Sequence, residues 1–271
     1  MSGATARRAR LDQLLVDRGL VETRSRAQAL VMAGRVRVGE GDAARTNRKP
    51  GELLDDSTPL AVVESEPYVS RGGYKLAAAL DAFAIDPSGR VCLDVGASTG
   101  GFTDVLLQRG AKRVYAVDVG RGQLAEALRQ DQRVVSMERT NARGLTVASL
   151  PEPIELAVVD VSFISLALVL GPIASTFGPA GGPIVALVKP QFEAGRAQVK
   201  GGVVRDTEIH LDVLRRIVAV AAGLALRPLA VIASPITGPE GNREFLLELE
   251  VAGESTGQQI RDERLIEVVG P

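Results

Sequence analysis

Several ionisable side chains interrupt apolar runs, and their positions define the chemistry open to the chain. Asp94 stands inside "VCLDV", just ahead of the glycine-rich turn "GASTGG"; Asp118 closes "RVYAVDV", Asp160 closes "LAVV" and Lys189 closes "VALV". Lys75 opens a helical stretch before the first of these runs, and Glu244 begins the last. A lone Lys or Glu is usually a solvated surface residue, but Asp160 and Lys189 each end a run that reads as buried, where a charge needs a partner. The turn admits two readings. "GASTG" has the G-x-S-x-G spacing of a nucleophile elbow, and Ser98, Asp160 and His210 follow the chain order of a hydrolase triad. It also reads as a strand-to-helix turn that cradles an adenosyl group. Gly96, Gly100 and Gly101 would then let the backbone approach the ligand, and Asp118, twenty-two positions after Gly96, would grip ribose hydroxyls.

The second reading accounts for more residues. His210 lies in the amphipathic run "RDTEIHLDVLRRIVAVAAGLAL", where an exposed or capping place near a helix start is expected. A triad histidine normally follows a late strand. An elbow also has no use for an acid two residues before its first glycine, where Asp94 stands. A dinucleotide pyrophosphate prefers G-x-G-x-x-G, whereas here the third position is Ser98 and acids flank the turn. That pattern suits a positively charged, phosphate-free ligand such as S-adenosylmethionine.

The elements that must position these groups follow from the hydrophobic pattern. Strand candidates are "VCLDV", "RVYAVDV", "VVSME", "IELAVVDV", "PIVALVK", "LRPLAVIAS" and "REFLLELEV", several apolar throughout as strands buried on both faces should be. Stretches long enough for crossover helices separate them, giving a doubly wound α/β layout with seven strands. The run from Leu156 to Ser175 contains Asp160 and a Gly-Pro pair, so it reads as a strand and a helix rather than a bilayer span. The N-terminal "MSGATARRAR" has no apolar core of a signal peptide. Cys92 and His210 are the only residues of their types, which excludes a disulfide framework and metal sites built on several thiolates or imidazoles; no metal is expected. Trp is absent and aromatics make up 3%, so the composition suggests no stacking platform. A reducing, cytoplasmic setting fits.

Ahead of this body lies a basic head. Residues 1–49 hold eleven Lys/Arg against five Asp/Glu, while the whole chain carries a net charge of −1. Leu11, Leu14, Leu15 and then Ala27, Leu30, Val31 recur at helical spacing; Thr23 or Ser25 can cap the second helix and Gly34 can end it. "RVRV" alternates like a short strand, "GEGD" follows as a turn, and the acidic "GELLDDSTPLAVVESEP" reads as a joint. Arg24, Arg26, Arg35 and Arg37 cluster where the second helix meets the strand, suited to phosphates; Arg10 and Arg18 complete the candidate contacts.

Two resemblances emerge from these blocks. "RLDQLLVDRGLVETRSRAQALVMAGRVRVGE" resembles the RNA-binding domain named after ribosomal protein S4. "YVSRGGYKL", "DVGASTGGFTDVLL", "AVVDVSFISL", "LVKPQFEAGR" and "GNREFLLELE", in order over nearly the whole chain, resemble the TlyA family. The resemblance implies an S4-type α+β domain over residues 1–66 and, over residues 67–271, a class I (Rossmann-like) seven-stranded methyltransferase domain of the FtsJ kind. It implies methyl transfer from S-adenosylmethionine to ribose 2′-hydroxyls of cytidines in ribosomal RNA. The Lys-Asp-Lys-Glu tetrad of such enzymes falls on Lys75, Asp160, Lys189 and Glu244. The cofactor falls to Asp94, Gly96, Ala97, Ser98, Thr99, Gly100, Phe102 and Asp118, with Asn141 at the adenine. Family members are often labelled haemolysins, but nothing here reads as a pore-forming segment. The competing classes are an α/β hydrolase acting through Ser98, and a non-catalytic RNA-binding protein that keeps the cofactor as a ligand.

Overall fold

The computed structural model describes residues 8–41, 44–63, 66–251 and 260–270, and the chain divides after Pro67 into two units. In the first, β1 (Arg8–Arg10) leads into α1 (Leu11–Asp17), followed by α2 (Arg24–Met32), β2 (Val36–Val38), β3 (Leu53–Asp55) and β4 (Leu60–Val62). Thr23 is the residue that caps α2: its hydroxyl accepts from Arg26 N at 3.3 Å, and Gly34, with φ of 69°, sits past the helix end. Leu11, Leu15, Val21, Ala27 and Val31 meet Val36 and Val38 in a small core. β2 alternates buried, exposed, buried, so Arg37 faces solvent between two core valines.

The acidic segment after this core is not a joint. β3 pairs antiparallel with β1, and β4 pairs antiparallel with β2, so residues 53–62 complete the head. Neither "LLD" nor "LAV" alternates apolar and polar residues as "VRV" of β2 does, so no period announces these strands in the sequence.

The second unit opens with α3 (Gly72–Ala82) and continues through β5 (Val91–Val95), α4 (Gly101–Gln108), β6 (Arg113–Val117), α5 (Glu126–Arg129) and β7 (Val134–Met137). After these come β8 (Leu156–Val159), α6 (Leu170–Ala174), β9 (Gly182–Val188), α7 (Pro190–Glu193), α8 (Thr207–Gly223), β10 (Leu226–Ala233), β11 (Phe245–Val251) and α9 (Asp262–Val269). The seven strands form one sheet in the order β10-β11-β9-β8-β5-β6-β7. β5 lies inside the sheet between β8 and β6: Leu93, Val95, Ala157 and Val159 pack on one face with α6, α8 and α9, while Cys92, Val158 and Leu187 pack on the other with α3 and α4.

The sheet is not parallel throughout. β11 runs antiparallel to both of its neighbours, β10 and β9. The link from Ala233 to Phe245 contains one short 3-10 turn and no crossover helix, so the chain can only double back. That reversal matters chemically, because an antiparallel strand starts at the edge where its parallel neighbours end. Phe245 pairs with Val188, which sets Glu244 across from Lys189.

Candidate active site

The carboxyl ends of β5, β6, β8 and β9 and the start of β11 bring the charged groups to one edge of the sheet, where open α/β sheets bind ligands. Lys75 comes from α3 and is buried; its Nζ lies 2.5 Å from Glu244 Oε2. Lys189 Nζ lies 2.5 Å from Asp160 Oδ1 and donates to Ser162 Oγ at 2.9 Å. Two lysine–carboxylate pairs, built from four separate segments, thus stand together. Lys75, Asp160 and Lys189 line a cavity of about 480 Å³ with Gly96, Ser98 and Phe102, and Glu244 backs Lys75 from behind that wall.

A second cavity of about 370 Å³ meets the first at Gly96 and Ser98, and is lined by Asp118, Asn141, Gln123 and Phe163 among others. Asp118 knits two turns together: its Oδ2 accepts from Ser98 N at 2.8 Å and its Oδ1 from Gly120 N at 2.7 Å. Ser98 adopts φ of 47°, a left-handed backbone that the Asp118 bond holds in place. Asn141 caps a short turn, its Oδ1 accepting from Arg143 N at 3.1 Å.

Asp94 lies behind the turn, fully buried. Thr103 Oγ1 donates to its Oδ2 at 2.6 Å, while Oδ1 is buried with no hydrogen-bond partner. Burial pushes this carboxyl up to about 7; the Thr103 bond opposes the shift, and the negative charges of Asp160 and Asp118 add to it. Glu244 Oε1 is likewise buried without a donor. These buried, under-donated carboxylates beside two adjoining cavities fit an adenosyl ligand that carries positive charge.

Comparison with known proteins settles the lineage. Residues 68–251 match the FtsJ-like methyltransferase family, and residues 9–41 match the S4 domain. Over 247 residues the chain is 51% identical to the 16S/23S rRNA (cytidine-2′-O)-methyltransferase TlyA of Mycobacterium tuberculosis, covering 90% of each chain. This chain belongs to the TlyA family. It is also 40% identical to Hemolysin A of Brachyspira hyodysenteriae, over 88% of this chain and 98% of that one. A solved structure described as a "putative hemolysin" from Streptococcus thermophilus is 46% identical with a TM-score of 0.73, covering 98% of this chain and 95% of that one. Among the described residues, no helix of this TlyA-family chain is long and apolar enough to cross a membrane.

One expectation for the site needs correcting, and the glycines of the turn, two of which line the cavity, are also set by close packing against the protein. A Cβ at Gly96 would come 2.3 Å from Asp160 O, one at Gly100 would come 2.3 Å from Leu128, and one at Gly101 would come 2.2 Å from Ser70 Oγ. His210 is neither exposed nor a cap: it is buried, its Nε2 meets Val204 O at 3.0 Å, and its ring packs edge-on against Phe245. Its Nδ1 has no partner, so neither ring nitrogen touches Ser98, and burial pushes the imidazole pKa down. Asp206 is the cap, accepting from Glu208 N at 2.9 Å. The hydrolase reading fails on this geometry.

Residues that the sequence reading missed also line the site. Arg71 stands one helical turn before Lys75, a four-residue spacing that could have flagged it. Ser162, two residues after Asp160, was within sight for the same reason. Ile236 and Thr237 follow β10, and only the strand order brings them to the cavity. Phe163, 89% exposed on a left-handed backbone, leans on Phe192 with ring centres 4.8 Å apart; nothing in its type or spacing announced it. Gly202 and Val204, just before α8, are pinned by Asn242, whose Oδ1 accepts from Val204 N and whose Nδ2 donates to Gly202 O.

In the head, the arginines divide by what holds them. Arg10 and Arg24 bond to Asp12, Arg18 donates to the carbonyls of Thr58 and Asp56, and Arg26, Arg35 and Arg37 are exposed.

Proposed function

We propose that this chain methylates the ribose 2′-hydroxyl of cytidine in ribosomal RNA, in the small subunit, the large subunit or both, and does so in the cytoplasm where ribosomal subunits are found. The observation that carries the reading is the pair of lysine–carboxylate contacts, Lys75–Glu244 and Lys189–Asp160, beside the glycine turn and Asp118. Asp118, Asn141 and the Gly96–Thr99 backbone are placed to hold the adenosyl part of S-adenosylmethionine, with Ala97, Gly100 and Phe102 shaping the wall behind it. When bound, that cofactor supplies a methyl group already activated by a sulfonium.

The chain's own task is then to orient a weakly acidic hydroxyl and to manage its charge. An ammonium has three donors. At Lys189 one goes to Ser162, and Asp160 stands 2.5 Å away as the counter-charge, which leaves donors for the attacking oxygen. Lys189, 2.5 Å from Asp160, is placed to meet the attacking oxygen and the negative charge that develops on it. Lys75, neutralised by buried Glu244, can donate to the same substrate without adding net charge to the cavity. The basic arginines of the head supply contacts to the RNA phosphates.

The test is incubation with methyl-labelled cofactor and each purified ribosomal subunit, followed by mapping of the modified nucleotide. Label on a ribose oxygen of cytidine is expected. Label on a base, or none on either subunit, would overturn the reading.

A further inference from the structure

The head contains a buried carboxylate for which the methyl-transfer scheme has no use. Asp12, in the first turn of α1, is fully buried and accepts four hydrogen bonds. Arg10 Nε donates to Oδ1 at 3.0 Å; Arg10 Nη2, Arg24 Nε and Gln28 Nε2 donate to Oδ2 at 2.9, 3.1 and 2.8 Å. The two guanidiniums and the Gln28 amide hold the carboxyl well below the usual carboxylate range, against the opposing push of burial. The arginines are not buried with it: their side chains are 44% and 49% exposed. Arg10 Nη1 and both terminal nitrogens of Arg24 take no part in these bonds. Gly51 leaves room for the first of them, since a Cβ there would stand 3.0 Å from Arg10 Nη1.

We propose that Asp12 is a positioning residue for RNA, fixing Arg10 and Arg24 side by side as one clamp for a backbone phosphate. Two unanchored guanidiniums this close repel each other and sample many rotamers. A carboxylate between them removes both costs before the RNA arrives. Each planar fork then keeps N–H donors for phosphate oxygens. The inference rests on the RNA reading above and adds to it a residue and the group it serves.

Charge alone predicts the opposite sign. Asp12→Asn removes a negative charge from a basic surface, which by simple attraction tightens RNA binding and steepens its salt dependence. Positioning predicts weaker binding, by about tenfold, the usual scale for a lost charge-assisted hydrogen bond. It also predicts a salt slope shallower by about one phosphate contact. The experiment uses the full chain, with a short RNA duplex and isolated ribosomal subunits as probes. Affinity is measured against salt, and hydrogen exchange of α1 and α2 reports whether the head stays folded. Arg24→Lys is the second variant: it keeps the charge but cannot both hold Asp12 and present a fork, and should cost severalfold in affinity with the fold intact.

In a double-mutant cycle, Arg10→Ala should cost much less in the Asp12→Asn background than in the wild type. Unchanged or tighter binding by Asp12→Asn overturns the proposal. If Asp12→Asn unfolds the head, Arg24→Lys decides: wild-type affinity in that variant overturns it. Wild-type protein that binds neither probe would refute the RNA reading itself. Wild-type protein that binds through Arg10, indifferent to Asp12 and to Arg24→Lys, would refute only the clamp.

Discussion

Two aspartates, Asp12 in the head and Asp94 in β5, are both fully buried and are treated in opposite ways. Asp12 accepts four hydrogen bonds, three of them from two guanidiniums, and its carboxyl lies far below its ordinary range. Asp94 takes one hydroxyl, leaves an oxygen unpartnered, and is pushed up to about 7. Burial alone raises an acid, so the difference lies in what each site supplies against it. The head has completed its electrostatics within its own chain. The catalytic unit has left its own incomplete, with under-donated acids gathered at the edge where a cationic ligand belongs. A binding module can be rigid before it meets RNA, whereas a site for a sulfonium has to keep negative charge in reserve.

The sharpest way to break this contrast is at Lys189. Lys189→Ala should lower methyl transfer by about 10²–10³-fold or more, the range for losing a donor to a developing oxyanion. Cofactor binding by calorimetry should persist, because the acids that attract the sulfonium remain. Near-normal turnover would remove Lys189 from the chemistry and favour a non-catalytic RNA binder that merely holds the cofactor.

Next in size is Gly96→Ala. Its φ of 85° strains any side chain, and the new Cβ would strike Asp160 O. The expected outcome is a loss of stability of about 2–4 kcal/mol together with weakened cofactor binding. Unaltered unfolding and binding would mean that the turn is slack rather than set against Asp160.

The two aspartates also predict opposite responses to pH. For Asp94 the folded value lies above the unfolded one, so folding takes up a proton between about pH 4 and about 7. Its cost to stability is absent below that window and complete above it, so the ligand-free catalytic unit should gain stability on acidification from about pH 8 to 5. For Asp12 the folded value is depressed, so its contribution is present at neutral pH and fades only as pH falls below about 4. Hydrogen exchange followed unit by unit should show the catalytic unit tightening at about pH 5 while the head is unchanged. Cofactor binding near pH 6 should release protons, seen as a buffer-dependent enthalpy, and Asp94→Asn should abolish the release. Identical responses of the two units, or no proton release, would dissolve the contrast.

How much of this was legible in the sequence depends on which interactions were local. The seven strands announced themselves because buried strands are continuous apolar runs, and Thr23 or Ser25 marked the start of α2 by type and place, a choice that only the structure narrowed to Thr23. Strand direction was invisible: the pattern of "REFLLELEV" is the same whichever way β11 runs, and its reversal is what carries Glu244 to Lys75. That contact spans 169 residues, and nothing near Lys75 in the chain points to it; only the family resemblance did. The head's last two strands were mistaken for a joint because "LLD" and "LAV" lack the alternation that marked β2. His210 was misplaced because an amphipathic helix pattern leaves a half-polar residue undecided, and a single backbone carbonyl, Val204 O, was enough to bury it.

The smallest expected effect tests the reading that the turn's spacing first invited. Ser98 contributes its backbone N–H to Asp118, and the substitution Ser98→Ala leaves that N–H in place. Its positive φ is no worse for alanine than for serine. Ser98→Ala should therefore retain most methyl transfer, within about a fewfold of wild type, and leave stability within about 0.5–1 kcal/mol. A nucleophilic serine would behave differently, since its hydroxyl is the reacting group and its removal would extinguish activity. Complete loss in Ser98→Ala with cofactor binding intact would mean that the hydroxyl, not the backbone, is what this turn was built to present.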